Sequence, residues 1–445
     1  MKINIDLPSE VKFILSVLEK NNFTAHIVGG CVRDSLIGRP VNDWDITTSA
    51  LPEEVMGLFN ETIPMGIKFG MVVVIVNGKE FEVTTHRVDG ESSDNRHPDK
   101  VFFSKNIEED LKRRDFTINA MAFSERDGLI DLFNGQEDLK NKIIKTVGNP
   151  NDRFNEDALR IMRAIRFSAQ LGFSIEKNTL NAINSFNKEI FKSISKERIN
   201  KELTKIIIAD SNKLILLKNI FRKDLDILIP QISTTFNFNQ NNPHHNLDLF
   251  NHTIQAMNNV PSDIILKLTM LFHDIAKPLV VEKDARGISH FKGHAEKSAE
   301  ITENILSEMR FTKKIIKEVV TLIKFHDIQV PKTKKSLIRL INKIGIDRIQ
   351  NLIIVKRADI LAQSTFKQKE KLLDLKVMED CFYEVKNSKN IPSLKTLKIN
   401  GNDLIKEGFK GKEIGIILNN LLEKVINGDI QNDKNELLAE LKKKS

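Results

Sequence analysis

Only two cysteines, Cys31 and Cys381, occur in the 445 residues of this chain. That scarcity excludes a disulfide framework and a cysteine-based zinc cluster, so any bound metal must rely on histidine and carboxylate ligands. Long apolar runs are also missing. No stretch of about 18 apolar residues occurs, so no membrane span is expected. The opening MKINIDLPSEVKFIL places a charge soon after each short apolar stretch, which leaves no signal-peptide core and makes the cytoplasm the expected location. Negative charge is in deficit: 68 Lys and Arg face 60 Asp and Glu, a net charge of +8. The surplus favours a polyanionic partner such as nucleic acid or acidic lipid. Hydrophobic residues make up 40% of the chain, enough to build cores. The length suits two to four domains rather than one.

Two regimes follow along the sequence. Residues 9–20 carry apolar positions at helical spacing behind a serine. Ala25-His26-Ile27-Val28 then reads as a short strand running into Gly29-Gly30, and 43–46 as a second strand. A β-branched run over 71–76, a turn at Gly78-Lys79 and a return strand over 81–85 predict a hairpin. Beyond about residue 150 strand signals nearly vanish, and helical patterns take over at 157–171, 196–209 and 264–275. The Asn-rich stretch 237–246, with Pro243, reads as a linker, and a second break falls at 387–393. The expected fold class is therefore α+β, an α/β head followed by all-helical modules.

Asp43 and Asp45 stand two apart on the expected strand, so both carboxylates project from one face, about 7 Å apart at the Cα. Oxygen ligands of that kind suit magnesium together with substrate phosphates, as in two-metal phosphoryl chemistry. Glu82, on the return strand, can complete a carboxylate trio. Upstream, Gly29-Gly30 occupies a strand-to-helix junction where bare N–H groups can approach phosphate, and Arg33 follows one turn later as a bidentate clamp. The plain reading is a glycine turn with Arg33 and Asp34 paired on the surface.

Taken together these residues have a specific likeness. The stretch HIVGGCVRDSLIGRPVNDWDITTSALPEEV resembles the signature of the class II tRNA nucleotidyltransferase and bacterial poly(A) polymerase family. KRRDFTINAMAF and EDALRIMRAIRFSAQLGF match two further family motifs in order and spacing. The resemblance implies a polymerase-beta-like head that adds CCA to the 3′ end of tRNA without a template, taking CTP and ATP and releasing pyrophosphate. It implies Mg2+ on Asp43 and Asp45, and phosphate and sugar contacts from Gly30, Arg33 and Arg114. Asp115 and Asn119 read better as backbone supports. The polar loop 87–103 resembles the flexible loop that CCA- and A-adding relatives retain and CC-adding relatives lack.

On a helix, Asp157, Arg160, Arg163 and Arg166 recur every third residue and form a stripe. Three arginines in register repel one another unless an anion lies alongside, and a nucleoside triphosphate is a suitable one. Cytosine and adenine each present an amino donor beside a ring-nitrogen acceptor. The Asp157–Arg160 pair can accept from the first and donate to the second, at about 1.5–3 kcal/mol per charge-assisted bond. The family resemblance implies this base-selecting role.

In the helical half, His252, then His273-Asp274, then Asp359 resemble the ligand order of the HD phosphohydrolase superfamily. Such donors suit manganese, nickel, iron or magnesium, with His294 and His326 available to a second ion. The module reads either as a hydrolase for phosphoesters, such as a 2′,3′-cyclic phosphate, or as a scaffold that binds the tRNA elbow. The division expected is a head over 1–148, a nucleotide-selecting neck over 149–236, an HD-type domain over 237–386 and a tRNA-binding tail over 387–445. No obligate protein partner is evident. Three rivals stay open at this stage: a poly(A) or A-only polymerase on the same fold, an HD phosphohydrolase with a nucleotide-sensing head, and a non-catalytic RNA-binding protein.

Overall fold

The computed structural model describes residues 5–89, 101–187, 191, 194–209, 228–388 and 390–442. The chain forms two compact units, Met1–Pro230 and Gln231–Ser445. Residues 90–100, the centre of the loop read between the head motifs, lie outside the described residues.

The first unit is built on a mixed sheet. Its strands are β1 (Ala25–Val28), β2 (Ile46–Thr48), β3 (Thr62–Ile63), β4 (Met71–Val76), β5 (Lys79–Thr85), β8 (Met121–Ser124) and β9 (Gly128–Asp131); β6 (Arg87–Asp89) and β7 (Val101–Phe103) pair separately. The sheet order is β3-β4-β5-β2-β1-β8-β9. Ile46 stands opposite Ile27 on one side and Val83 on the other, so β2 sits at the centre, antiparallel to β1 and parallel to β5. Helix Ser9–Lys20 seals part of the sheet with Val11, Ile14, Leu15 and Leu18, all buried at helical spacing. The β4–β5 turn is Asn77-Gly78, both with positive φ (53° and 74°), and Lys79 already pairs with Val76. The turn therefore lies one residue earlier than expected, because an Asn-Gly pair tolerates the left-handed turn that matches strand twist.

Helix Pro150–Glu156 and helix Leu159–Leu171 follow, the second packing against helix Lys196–Ile207; Ile161, Met162 and Ile165 are buried on one and Ile199, Leu203 and Ile206 on the other. The helix expected over 157–171 is thus interrupted at its start: Asp157 caps the first helix with extended backbone (φ −151°, ψ 102°).

The second unit is helical. Helices Leu249–Asn258, Ile264–Phe272, His294–Glu308, Lys313–Phe325, Lys334–Ile344, Ile346–Ala362 and Gln368–Asn387 follow one another, with Ile346–Ala362 packing on five of the others, and helices Gly401–Lys406, Lys412–Asn427 and Lys434–Lys442 close a smaller core around Leu404, Leu421 and Leu437. The stretch 237–246 is no free linker. Gln240 is buried, and the Asn241 and Asn242 amides donate to the Gly287 and Ser289 carbonyls at 2.6 and 2.9 Å. Its asparagines serve as backbone anchors. Among the described residues no helix is long and apolar enough to cross a membrane.

Candidate active site and a second histidine–aspartate centre

Asp43 and Asp45 lie just before β2, not on it, since the strand begins at Ile46. The Asp45 carbonyl still accepts from Val28 N at 3.0 Å, which pins the approach to β1. Because Ile46 pairs with Val83, the parallel register brings Asp45 beside Glu82. All three carboxylates line one cleft of ≈ 740 Å³ together with Asn42, Trp44 and Glu80. Burial raises the Asp45 carboxyl to about 6; Arg114 opposes that, while the Glu82 and Asp43 charges add to it. A surplus of facing carboxylates fits an oxygen-binding divalent cation. Among the described residues, however, the groups of three or more whose ligand atoms lie within 4.8 Å of one another are both in the second unit.

Gly29 lies beside Asp45 and Arg114. It sits at φ 82°, ψ −129°, and a Cβ there would meet Arg114 Nη1 at 2.9 Å and Asp45 Oδ2 at 3.9 Å. Arg114 is held from behind by Asp110, which is fully buried and pairs with Arg113 at 2.6 Å and Arg114 at 3.1 Å. These cations keep the Asp110 carboxyl down at about 2 against the opposing effect of burial. Sequence reading missed Asp110, although its spacing four residues before Arg114 on helix Ile107–Lys112 was visible. Gly30 opens the helix Gly30–Leu36 that carries Arg33. The Arg33 guanidinium pairs with Asp34 at 2.8 Å, but it is buried rather than on the surface as the plain reading has it, and it donates to Asn119 Oδ1 at 2.6 Å.

The arginine stripe is neutralised from within. Arg160 Nη1 donates to Glu156 Oε2 at 2.6 Å, Arg163 Nε to Asp115 Oδ2 at 2.7 Å, and Arg166 Nε lies 3.0 Å from Glu202 Oε2. The expected need for an outside anion is therefore met by three carboxylates of the chain. Asp157 and Arg160 do not pair. Asp157 Oδ1 accepts from Leu159 N at 3.0 Å and Oδ2 from Arg198 at 2.7 Å. Arg160 also donates to the Arg153 and Arg113 carbonyls at 3.1 and 2.9 Å.

In the second unit, His252, His273, Asp274 and Asp359 form one convergent group, and Asp274, His294 and His326 another. Nδ1 of each histidine lies against a backbone carbonyl: His252 to Ala362 at 3.1 Å, His273 to Met270 at 2.7 Å, His294 to Phe291 at 2.8 Å and His326 to Ile323 at 2.6 Å. Such anchoring turns Nε2 inward as the ligand atom. Nε2 of His252 and of His273 is buried without a hydrogen bond, and lies 3.1 Å from Asp359 Oδ1 and from Asp274 Oδ2 respectively. Asp274 Oδ1 faces the other pair, 3.2 Å from His294 Nε2 and 3.6 Å from His326 Nε2. Donor separations near 3 Å are what bonds of about 2.0–2.1 Å to a common ion leave between neighbouring ligands. The residues fit one or two divalent ions, with Asp274 shared.

Three family descriptions match the chain: "Poly A polymerase head domain" over 25–145, "Probable RNA and SrmB- binding site of polymerase A" over 172–219, and "tRNA nucleotidyltransferase domain 2 putative" over 281–441. The crystal structure of the Bacillus stearothermophilus CCA-adding enzyme in complex with CTP superposes with a TM-score of 0.70 at 28% identity, covering 98% of this chain and 96% of that one. The CCA-adding enzyme of Oceanobacillus iheyensis is 52% identical over 193 residues, 43% of this chain and 48% of the relative. The CCA-adding enzyme of Ligilactobacillus salivarius is 36% identical over 461 aligned residues, 98% of each chain.

The chain belongs to the CCA-adding enzyme family. It is a tRNA nucleotidyltransferase that adds CCA without a template, and the poly(A) and pure phosphohydrolase rivals fall away. Within that family frame the head supplies a carboxylate cleft, with Gly29 and Arg114 next to its Asp45, and helix Leu159–Leu171 places its arginines on acids of the same unit. Dependence on a divalent metal is a property of the family, and the carboxylates above are the head's candidates for it.

Proposed function

We propose that Asp43 and Asp45, with Glu82 beside them, are the catalytic carboxylates and hold Mg2+. Bound there, the ions would activate the attacking 3′-hydroxyl of tRNA and neutralise the leaving pyrophosphate. Arg114 stands next to Asp45 to receive triphosphate charge, and the bare backbone at Gly29-Gly30 can admit phosphate beside them. Arg33 supports this turn from below through Asn119. Asp157 and Arg160 select C or A. Asp157 Oδ2 already accepts from Arg198 and has a second lone pair for an exocyclic amino group. Among the described residues, the contacts of Arg160 use three of its five N–H hydrogens, leaving donors for a ring nitrogen. Arg163 and Arg166 brace this surface from Asp115 and Glu202. The observation that carries the reading is the β2–β5 register, which gathers Asp45 and Glu82 in the cleft with Asp43.

The division into head 1–148, neck 149–236, helical module 237–386 and tail 387–445 belongs to the same reading, as do tRNA, CTP and ATP as partners and the cytoplasm as location. The test is extension of a tRNA lacking its 3′ end with CTP alone, ATP alone and both. Complete CCA is expected only with both, and none with Asp43→Ala, which retains tRNA affinity. Undiminished incorporation by Asp43→Ala would refute the assignment.

The second centre supports a further reading: His252, His273, Asp274 and Asp359 hold one divalent ion, and Asp274, His294 and His326 a second. Ions there would activate water against a phosphoester. Elemental analysis of the purified chain is expected to find manganese, nickel, iron or magnesium beyond what Asp43→Ala removes, and to lose it in His273→Ala.

A further inference from the structure

We propose that Trp44 is a stacking platform for the unpaired 3′-terminal base of the RNA acceptor and holds the strand end beside the carboxylates of the head. The inference rests on the reading of Asp43 and Asp45 as the catalytic pair and adds to it the place of the second substrate.

Trp44 is the single tryptophan of the chain. It stands between Asp43 and Asp45 and lines the same cleft of ≈ 740 Å³. The residue is half-buried, and among the described residues its indole N–H has no hydrogen-bond partner. Buried indoles usually find one, so an unpartnered ring at the wall of a cavity is available to a ligand. The same wall carries Met65, 50% exposed, with Phe81 and Val73 buried behind it. The cleft therefore has an apolar side as well as an acidic one.

Charge decides which part of a nucleotide that side can take. Of the described residues lining the cleft, the only cation is Lys79, and its Nζ already lies 2.9 Å from Glu10 Oε1. Glu80 and Glu82 add further negative charge. A phosphate would be repelled there, whereas an uncharged base would not. The head offers its phosphate-binding cation elsewhere: Arg114 stands beside Gly29 and Asp45 and is not part of this wall. In-line displacement brings the attacking hydroxyl and the leaving pyrophosphate to different sides of one phosphorus. The two substrates thus need separate footholds around Asp45, and Arg114 and Trp44 provide them. A π-face accepts any base. That tolerance suits a strand whose last base changes with each addition.

Because the chain has one tryptophan, the emission of the full wild-type protein reports on this cleft alone. Without nucleotide present, a tRNA lacking its 3′ end is expected to quench it. The same tRNA with an abasic terminal nucleotide, or CTP alone, should leave it nearly unchanged. In extension assays Trp44→Ala is expected to raise the KM for tRNA about tenfold, with the KM for CTP unchanged and Trp44→Phe restoring most of the loss. The penalty should vanish with the abasic acceptor, which a general defect of folding would not do. Equal quenching by the abasic acceptor, or an unchanged KM for tRNA in Trp44→Ala, overturns the platform. Quenching by CTP alone puts the incoming base there and overturns it as well. Undiminished incorporation by Asp43→Ala overturns the catalytic pair instead, and is read separately from the emission.

Discussion

Asp115 accepts from Arg163 Nε at 2.7 Å through one oxygen and from Asn119 Nδ2 at 3.0 Å through the other. Asn119 in turn receives Arg33, so a single polar chain joins the glycine turn beside the cleft to helix Leu159–Leu171. The Asp115 carboxyl lies down at about 2; burial pulls it upward, and Arg163 and Asn119 outweigh that pull. Asp115→Ala leaves a half-buried guanidinium without its acid. The expected cost is about 2 kcal/mol, below the range for a fully buried pair because Arg163 keeps some solvent. Urea unfolding checks the cost, and the KM for CTP is expected to rise in the same variant.

Gly29 carries a second prediction. Its φ of 82° disfavours any side chain, and the added carbon of alanine would meet the Arg114 guanidinium at 2.9 Å. Gly29→Ala is expected to push Arg114 away from Asp45 and lower kcat/KM for both nucleotides at least about tenfold, while thermal stability falls by about 1 kcal/mol. Wild-type incorporation kinetics in this variant would count against the placement of Arg114.

The proposed selection of C and A by Asp157 and Arg160 can be tested by its errors. Arg160→Ala should let UTP and GTP be incorporated at a higher fraction of the CTP and ATP rates, since each lost charge-assisted bond is worth about 1.5–3 kcal/mol of discrimination. Arg160 also secures Glu156, so Glu156→Gln serves as the control. That control should change stability and leave the misincorporation ratio near wild type.

His86 sets an acid limit on the fold. It is fully buried, with Nδ1 2.8 Å from Thr47 Oγ1 and Nε2 3.0 Å from Thr24 Oγ1. Burial pushes its pKa down to about 4, against the pull of Asp110. The folded value lies below the unfolded value of about 6.5, so the unfolded chain takes up the proton first. The contribution is present above pH 6.5 and is lost as pH falls toward 4. The urea midpoint of wild type should drop across that window more steeply than that of His86→Asn. Asp110 and Asp115, each at about 2, add their own losses only at lower pH.

The residue types of the head site and the strands β1, β4 and β5 were readable, because β-branched runs, a glycine turn and paired aspartates are local signals, whereas β3, β8, β9 and the sheet order were not read. Nor was the position of Asp43 and Asp45. D-W-D-I alternates like a strand, but pairing starts only at Ile46, where both β1 and β5 supply partners. Asp157 failed as a helical residue for a similar reason. The three-residue spacing runs on through a joint that is set by Asn149 and Pro150, which start an earlier helix ending at Glu156. The acids that answer the arginines lie 4, 48 and 36 positions away, at Glu156, Asp115 and Glu202. Only the first is visible as a helical spacing. The second centre was legible because His-Asp after an apolar run is distinctive, whereas the carbonyls that orient its rings belong to backbone and leave no mark in the sequence.

The internal acids along helix Leu159–Leu171 bear on how the enzyme responds to salt. A ladder with no net charge offers direction without long-range attraction, so on the proposed reading a base docking there would displace few counterions. Tight binding of the tRNA body, which trades ions for phosphate contacts, should fade steeply as ionic strength rises. The preference for C and A over U and G should stay nearly level across the same titration. Fidelity and RNA affinity would then be separable by potassium chloride alone.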